Sequence, residues 1–172
     1  MRTENRARVE ELFRSYLPDV TIKAGAAEAI DGLAAGGYHL GVISNAAHGP
    51  FISWALADGG LLARFDRIVV SADVGIRKPW PQIFHAALGP MGLAPAEGLY
   101  VGNDYIRDVM GAKLAGLRAI WIPASGDRDY RAYTRVHPDA VSDRLEQLPD
   151  LVKSLDRLER AEEISPADGG RR

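Results

Sequence analysis

Two carboxylates four residues apart, Asp104 and Asp108, stand in the segment VGNDYIRDVMG, just after the short apolar run Leu99–Val101 and at the start of a helical pattern. A strand that ends in glycine and acids ahead of a helix places those acids outside its carboxyl end, where open α/β sheets bind ligands. Carboxylate oxygens suit a hard cation such as Mg2+, which is commonly held by one or two protein carboxylates plus waters and a substrate phosphate. Acids at a helix start also cap free N–H groups and complement the helix dipole. This stretch alone leaves capping and metal binding equally open.

Upstream, Ser44 and Asn45 follow the run GVI, and Lys78 precedes Pro79 in the loop ADVGIRKPW. Taken singly, a Ser-Asn pair after a strand reads as a helix cap, and a lysine before proline reads as a solvated loop residue. Taken together, a hydroxyl donor, a cation and a carboxylate pair are the parts that a phosphate and its Mg2+ require.

Such a set works only if the chain brings its parts to one edge of a sheet. Apolar residues at helical spacing predict an amphipathic helix over 3–16, stopped near Pro18, and a second over 24–33 that ends at Gly36 and Gly37. Buried strands are expected at 38–43, 66–71, 99–101 and 118–122, with helices at 50–62, 81–88 and 105–115 between or after them. A polar loop over 123–139, the apolar pair Ala140 and Val141, and a leucine-rich helix from Leu145 to Leu158 complete the pattern. Strand and helix alternate, which predicts an α/β fold with a doubly wound parallel sheet. Ser44, Lys78 and the Asp104/Asp108 pair then fall at the carboxyl ends of successive strands or in the loops beyond them.

The bulk numbers exclude several classes. With 47% hydrophobic and 26% charged residues the chain reads as an ordinary globular protein. A net charge of −2 without a long basic run gives no footprint for nucleic acid. The absence of cysteine removes disulfides, thiolate metal sites and thiol nucleophiles. The charged N-terminus and the lack of a long apolar run point away from a membrane and towards the cytoplasm.

The ordered motifs resemble the haloacid dehalogenase superfamily of hydrolases, through Ser44 in GVIS, Lys78 in RKPWPQIF, and Asp104 with Asp108 in VGNDYIRDVMGAKLAG. The phrases EAIDGLAAGGYHLGVISNA, FDRIVVSADVGIRKP and AGLRAIWI match as well, so the resemblance spans about residues 20–160. It implies a Rossmann-like core. In that core Ser44 would hydrogen-bond the transferring phosphoryl oxygen, with Asn45 beside it as a second contact to substrate. Lys78 would neutralise charge on nucleophile and phosphate, and Asp104 and Asp108 would hold Mg2+. A Gly-Asn-Asp with a second acid four residues on looks more like the superfamily's phosphatases than its dehalogenases, and implies a small phosphate ester as substrate. Asn103 takes the place of an acid that often follows the glycine, so either aspartate remains eligible as the main ligand.

One part of the family pattern is missing. The superfamily's nucleophile is an aspartate in a DxDxT/V motif on a first strand, which lies in the sheet between the strands ending at Ser44 and Val101. Nothing here matches it: residues 1–19 resemble the helix that ends the cap region. The DxD formed by Asp127 and Asp129 lies beyond its strand, with Arg131 at the Thr position, and reads as a surface turn. The expected organisation is a cap remnant at 1–19, a core at 20–160 lacking its usual first central strand, and a disordered tail at 161–172. The two flanking strands would then pair directly, receive a strand from a partner chain, or belong to a fragment of a longer protein. The expectation is a Mg2+-dependent phosphatase by family that is inactive as the isolated chain. The alternative is a non-catalytic domain binding a phosphorylated ligand or a protein partner. His48, shortly after Asn45, is a further candidate contact, and Trp80 is expected to pack the loop.

Overall fold

Glycine and proline punctuation divides the chain into short strands and helices, and the computed structural model describes residues 3–164. The first helix, α1 (Thr3–Ser15), gives way to a single 3-10 turn at Leu17–Asp19 where Pro18 interrupts it. α2 (Ala26–Ala35) is closed by Gly36, and Gly37 takes the left-handed conformation at φ 83°. The strand expected from residue 38 begins later, as β1 (Gly41–Ser44). Tyr38 and His39 are drawn aside: the Tyr38 hydroxyl donates to Asp156 at 2.5 Å, and the His39 ring meets Asp66 at 3.2 Å.

α3 (Gly49–Asp58) stops at Gly59 and Gly60, four residues short of its expected end, because the Gly60 backbone turns to φ 68°. β2 (Arg67–Val70) runs directly into α4 (Ser71–Val74), a turn inside the expected loop that Gly75 ends at φ 70°. α5 (Pro81–Leu88) has the expected bounds, and β3 (Leu99–Gly102) follows. The helix expected at 105–115 is wound in two ways, as a π-helical turn over Tyr105–Met110 and then as α6 (Gly111–Leu114). β4 (Arg118–Trp121) and β5 (Ala140–Val141) precede α7 (Leu148–Ile164). α7 therefore takes in residues 161–164, which were expected in the tail; 165–172 lie outside the described residues.

All strand pairs are parallel, yet the strands form two ladders: β1 with β2, in a register that sets Ile43 beside Val69, and β3-β4-β5, with Val101 beside Ile120. β1 and β3 are not paired with each other, so the direct closure weighed from the sequence does not form.

Side-chain alternation along β3 and β4 builds a core on both faces. Ala119, Trp121 and Tyr100 join Ile83 and Phe84 of α5 with Val109 and Ala112 on one side. Ile120, Leu99 and Val101 join Ala29 of α2 with Leu148 and Val152 of α7 on the other. Ile43 and Val69 pack against the first of these clusters, so the two ladders share one apolar layer. This two-sided covering is the doubly wound α/β arrangement that the alternating pattern predicted. No helix among the described residues is long and apolar enough to cross a membrane.

Candidate functional site

The carboxyl ends of β1 and β3 meet at Lys78. Its amino group lies 2.7 Å from Asp108 Oδ1 and 2.6 Å from the Tyr100 hydroxyl, and the two charged side chains retain only 11% and 8% of their exposure. At such burial a lone charge is costly, and each partner makes the other tolerable. Tyr100 in turn donates its hydroxyl hydrogen to the Ile43 carbonyl at 3.1 Å, reaching from β3 to β1. Burial first, and then the Asp108 charge, push the Tyr100 phenol well up, so it remains a neutral donor.

The loop carrying Lys78 is held from β1. Asn45 Oδ1 accepts from the Lys78 backbone N–H at 2.8 Å, and Asn45 Nδ2 donates to the Lys78 carbonyl at 3.0 Å. The carboxamide expected to touch substrate is thus used on the backbone of the lysine beside it. Ser71, at the end of β2, adds a bond from its hydroxyl to the Ala46 carbonyl at 3.1 Å. The Ser44 hydroxyl, at the tip of β1, makes no hydrogen bond among the described residues and is half-buried.

The two acids have different surroundings. Asp108 Oδ2 accepts the Asp104 backbone N–H at 3.0 Å, so both oxygens of this buried carboxylate are engaged. Asp104 caps the π-helical turn, accepting from the Arg107 backbone N–H at 2.6 Å and from its guanidinium at 2.8 Å. Burial would raise the Asp104 carboxyl, but the side-chain, backbone and charge interactions with Arg107 together bring it below the usual carboxylate value. Capping, one of the two readings of this segment, is therefore met directly at Asp104. Gly102 permits the close approach of Asp108: a Cβ there would fall 2.5 Å from the Asp108 Cβ. Trp121 steadies the intervening loop by donating its indole N–H to the Asn103 carbonyl at 2.7 Å.

No group of three or more His, Asp or Glu side chains among the described residues is arranged to hold a metal ion. The donors present, two carboxylates within one turn, are hard oxygen ligands. That set fits an octahedral cation that keeps several waters, and it does not fit zinc or a soft metal.

Other candidates have structural duties. His48 accepts from the Phe51 N–H at 3.2 Å as the cap of α3, and stacks on Phe13 with ring centroids 4.4 Å apart. Trp80 is largely exposed rather than packed on its loop. Asp129 is paired with Arg131 at an exposed turn, as expected for a surface position. An open cleft of about 460 Å³ lies beside the loops, lined by Asn45, Ser71 and Arg77 among others, and neither Ser44 nor Lys78 lines it.

Sequence reasoning did not find Tyr100, Gly102 or Arg107. The available signal for Tyr100 was a polar-tipped aromatic in an otherwise apolar strand that leads into the acids.

Residues 2–122 match the family model described as Haloacid dehalogenase-like hydrolase. The chain belongs to this family. Among its relatives, the phosphoserine phosphatase of Thermus thermophilus is 45% identical over 67 residues, covering 39% of this chain and 27% of that protein. The glyceraldehyde 3-phosphate phosphatase of Methanothermobacter thermautotrophicus is 34% identical over 120 residues, covering 67% of this chain and 52% of that one. In structure, the HAD phosphatase from Thermococcus onnurineus superposes with a TM-score of 0.73 at 30% identity, over 84% of this chain and 64% of that one. The haloacid dehalogenase-like chain described here thus spans about half or less of the length of these two curated relatives.

Proposed function

We propose that this chain carries the phosphate-recognition and cation-binding half of a Mg2+-dependent phosphatase acting on a small phosphate ester. The observation that supports it is the buried Lys78–Asp108 pair beside Asp104, with Lys78 clamped by Asn45, the residue that follows Ser44. In this reading the Ser44 hydroxyl donates to a phosphoryl oxygen. Lys78, held in place by Asn45 and Tyr100, supplies positive charge where the phosphoryl group gains negative charge. Asp104 and Asp108 would hold Mg2+, which when bound would polarise a phosphoryl oxygen as a Lewis acid. Asn45 acts through Lys78 and is a positioning residue.

Among the described residues, Asp108 is bound to Lys78, Asp104 to Arg107, and Asp129 stands apart with Arg131. That favours a 172-residue chain that binds without turnover. It also favours a second reading, a non-catalytic domain that binds a phosphorylated ligand or a protein partner.

The test is Mg2+-dependent release of phosphate from an aryl phosphate by the 172-residue chain, alongside thermal shifts with Mg2+ and inorganic phosphate. The expected result is no turnover above the Asp104→Asn background, with stabilisation by the two ions that Asp104→Asn weakens. Turnover abolished by Asp104→Asn would overturn the inactivity. No response to either ion would remove the site.

A further inference from the structure

At the amino ends of the strands, away from Lys78 and the two aspartates, a cleft of about 210 Å³ lies between Tyr38 and one face of α7. Tyr38 comes just ahead of β1 and Arg118 opens β4, whereas Ser44 closes β1 and Asp104 comes after β3. Lys153, Asp156, Arg157 and Arg160 of α7 supply the rest of the lining.

Asp156 shows how this cleft grips an oxyanion. Its Oδ2 accepts from the Tyr38 hydroxyl at 2.5 Å and its Oδ1 from the Arg118 guanidinium at 2.9 Å, with both members of the ion pair largely buried. Burial would raise the Asp156 carboxyl, but these two bonds bring it below the usual carboxylate value, so it stays charged. Arg118 matches that charge. Lys153, Arg157 and Arg160 are then left around the cleft with no second acid among its described lining residues. On a chain of net charge −2 this is a local surplus of cations.

Their spacing adds to the cost. Lys153 and Arg157 stand four residues apart and Arg157 and Arg160 three, so the helix sets like charges as neighbours, which destabilises it. α1 uses the same four-residue spacing for opposite charges, Arg6 with Glu10 at 3.1 Å. The helix dipole rewards cations only within the last turn, and Lys153 lies well before the end at Ile164. Lys153 and Arg157 make no hydrogen bond or ion pair among the described residues.

We propose that this cleft is a second anion site, which binds a small ligand carrying a chain of linked phosphoryl groups. A multiply charged anion relieves the repulsion between the three cations, and phosphoryl oxygens accept charge-assisted hydrogen bonds from both Lys and Arg. At a rise of about 1.5 Å per residue, Lys153 and Arg160 stand about 10 Å apart along the helix axis, a span that suits linked phosphoryl groups better than a single phosphate. Such a chain occurs free, as inorganic polyphosphate, or joined to a nucleoside. The cleft stands at the other end of the strands from Lys78, so it is independent of the phosphatase reading.

The experiment titrates the 172-residue chain with inorganic tripolyphosphate, a nucleoside triphosphate and orthophosphate, without divalent cations and at physiological ionic strength. Calorimetry reads the affinity and NMR maps the amides that shift. Tripolyphosphate is expected to bind at one saturable site, to shift Tyr38, Lys153 and Arg157, and to bind at least about tenfold tighter than orthophosphate. Equal affinity for the nucleoside triphosphate would show that the phosphoryl chain alone is read, and tighter binding would make the ligand a nucleotide. Lys153→Gln with Arg157→Gln should raise Kd at least about tenfold, while Arg135→Gln, an exposed cation elsewhere, should leave it unchanged. The double variant should melt no lower than the parent, because it removes like-charged neighbours. The proposal is overturned by no binding, by equal losses in the double variant and Arg135→Gln, or by shifts confined to Ser44 and Lys78. A markedly lower melting temperature of the double variant would make these cations structural and overturn it too. No readout uses Mg2+ or phosphate turnover, so failure here and failure of the phosphatase reading are separable.

Discussion

Asn45 grips Lys78 by both ends of its backbone unit, accepting from the N–H at 2.8 Å and donating to the carbonyl at 3.0 Å. A carboxamide carries its donor and its acceptor side by side, so it can do both at once. Through this pair the tip of β1 sets where the amino group of Lys78 begins its reach towards Asp108. Asn45→Ala would leave a half-buried donor and acceptor unmet, and is expected to lower stability by about 1–3 kcal/mol. Asn45→Asp keeps the acceptor and is expected to lose less. Urea denaturation of both variants checks the order, and equal stability of Asn45→Ala and the parent would show that the clamp does nothing.

The Lys78–Asp108 pair should behave as a unit. Lys78→Met or Asp108→Asn alone strands a buried charge, with an expected loss of about 3–5 kcal/mol. The double variant removes both charges and should lose clearly less than the sum of the two. A double-mutant cycle in urea measures this; strict additivity would mean that the two side chains are not coupled in solution.

Gly102→Ala tests the packing beneath that pair. The added methyl would lie 2.5 Å from Asp108 Cβ, so either the strand or the acid must shift. A loss of about 1–3 kcal/mol is expected from such overpacking. A crystal structure of the variant should show Asp108 moved away from Lys78. An unchanged melting temperature would count against so close a contact.

Acid should weaken the start of the helix that follows β3 through Asp104. Arg107 outweighs burial there and holds the folded-state carboxyl below its ordinary value. The stabilisation is therefore complete above the unfolded value of about 4, and is lost as pH falls through the lower folded value. Asp104→Asn should flatten that part of the stability-pH curve and leave the curve above it parallel to the parent's. Denaturant titrations across the acid range provide the check; an unaltered acid limb in the variant would remove Asp104 from the account.

Much of this protein was legible from residue order alone. Alternating apolar runs and glycine or proline breaks foretold the parallel α/β layout, and α5 in particular, because Pro81 and Gly89 bracket it chemically. The ordered set of Ser44, Lys78, Asp104 and Asp108 pointed to the family whose model residues 2–122 match. The tertiary structure decided how those groups are employed. Asn45 spends its amide on Lys78, Asp104 caps a turn, and Tyr100 bridges two strands, all through contacts between residues far apart in the chain that no local periodicity encodes. The start of β1 moved for the same reason, as Tyr38 found Asp156 across 118 positions. The division of the sheet was likewise settled only in three dimensions. Strand-forming residues specify that a segment is extended, whereas which edges remain unpaired depends on what else is present to meet them.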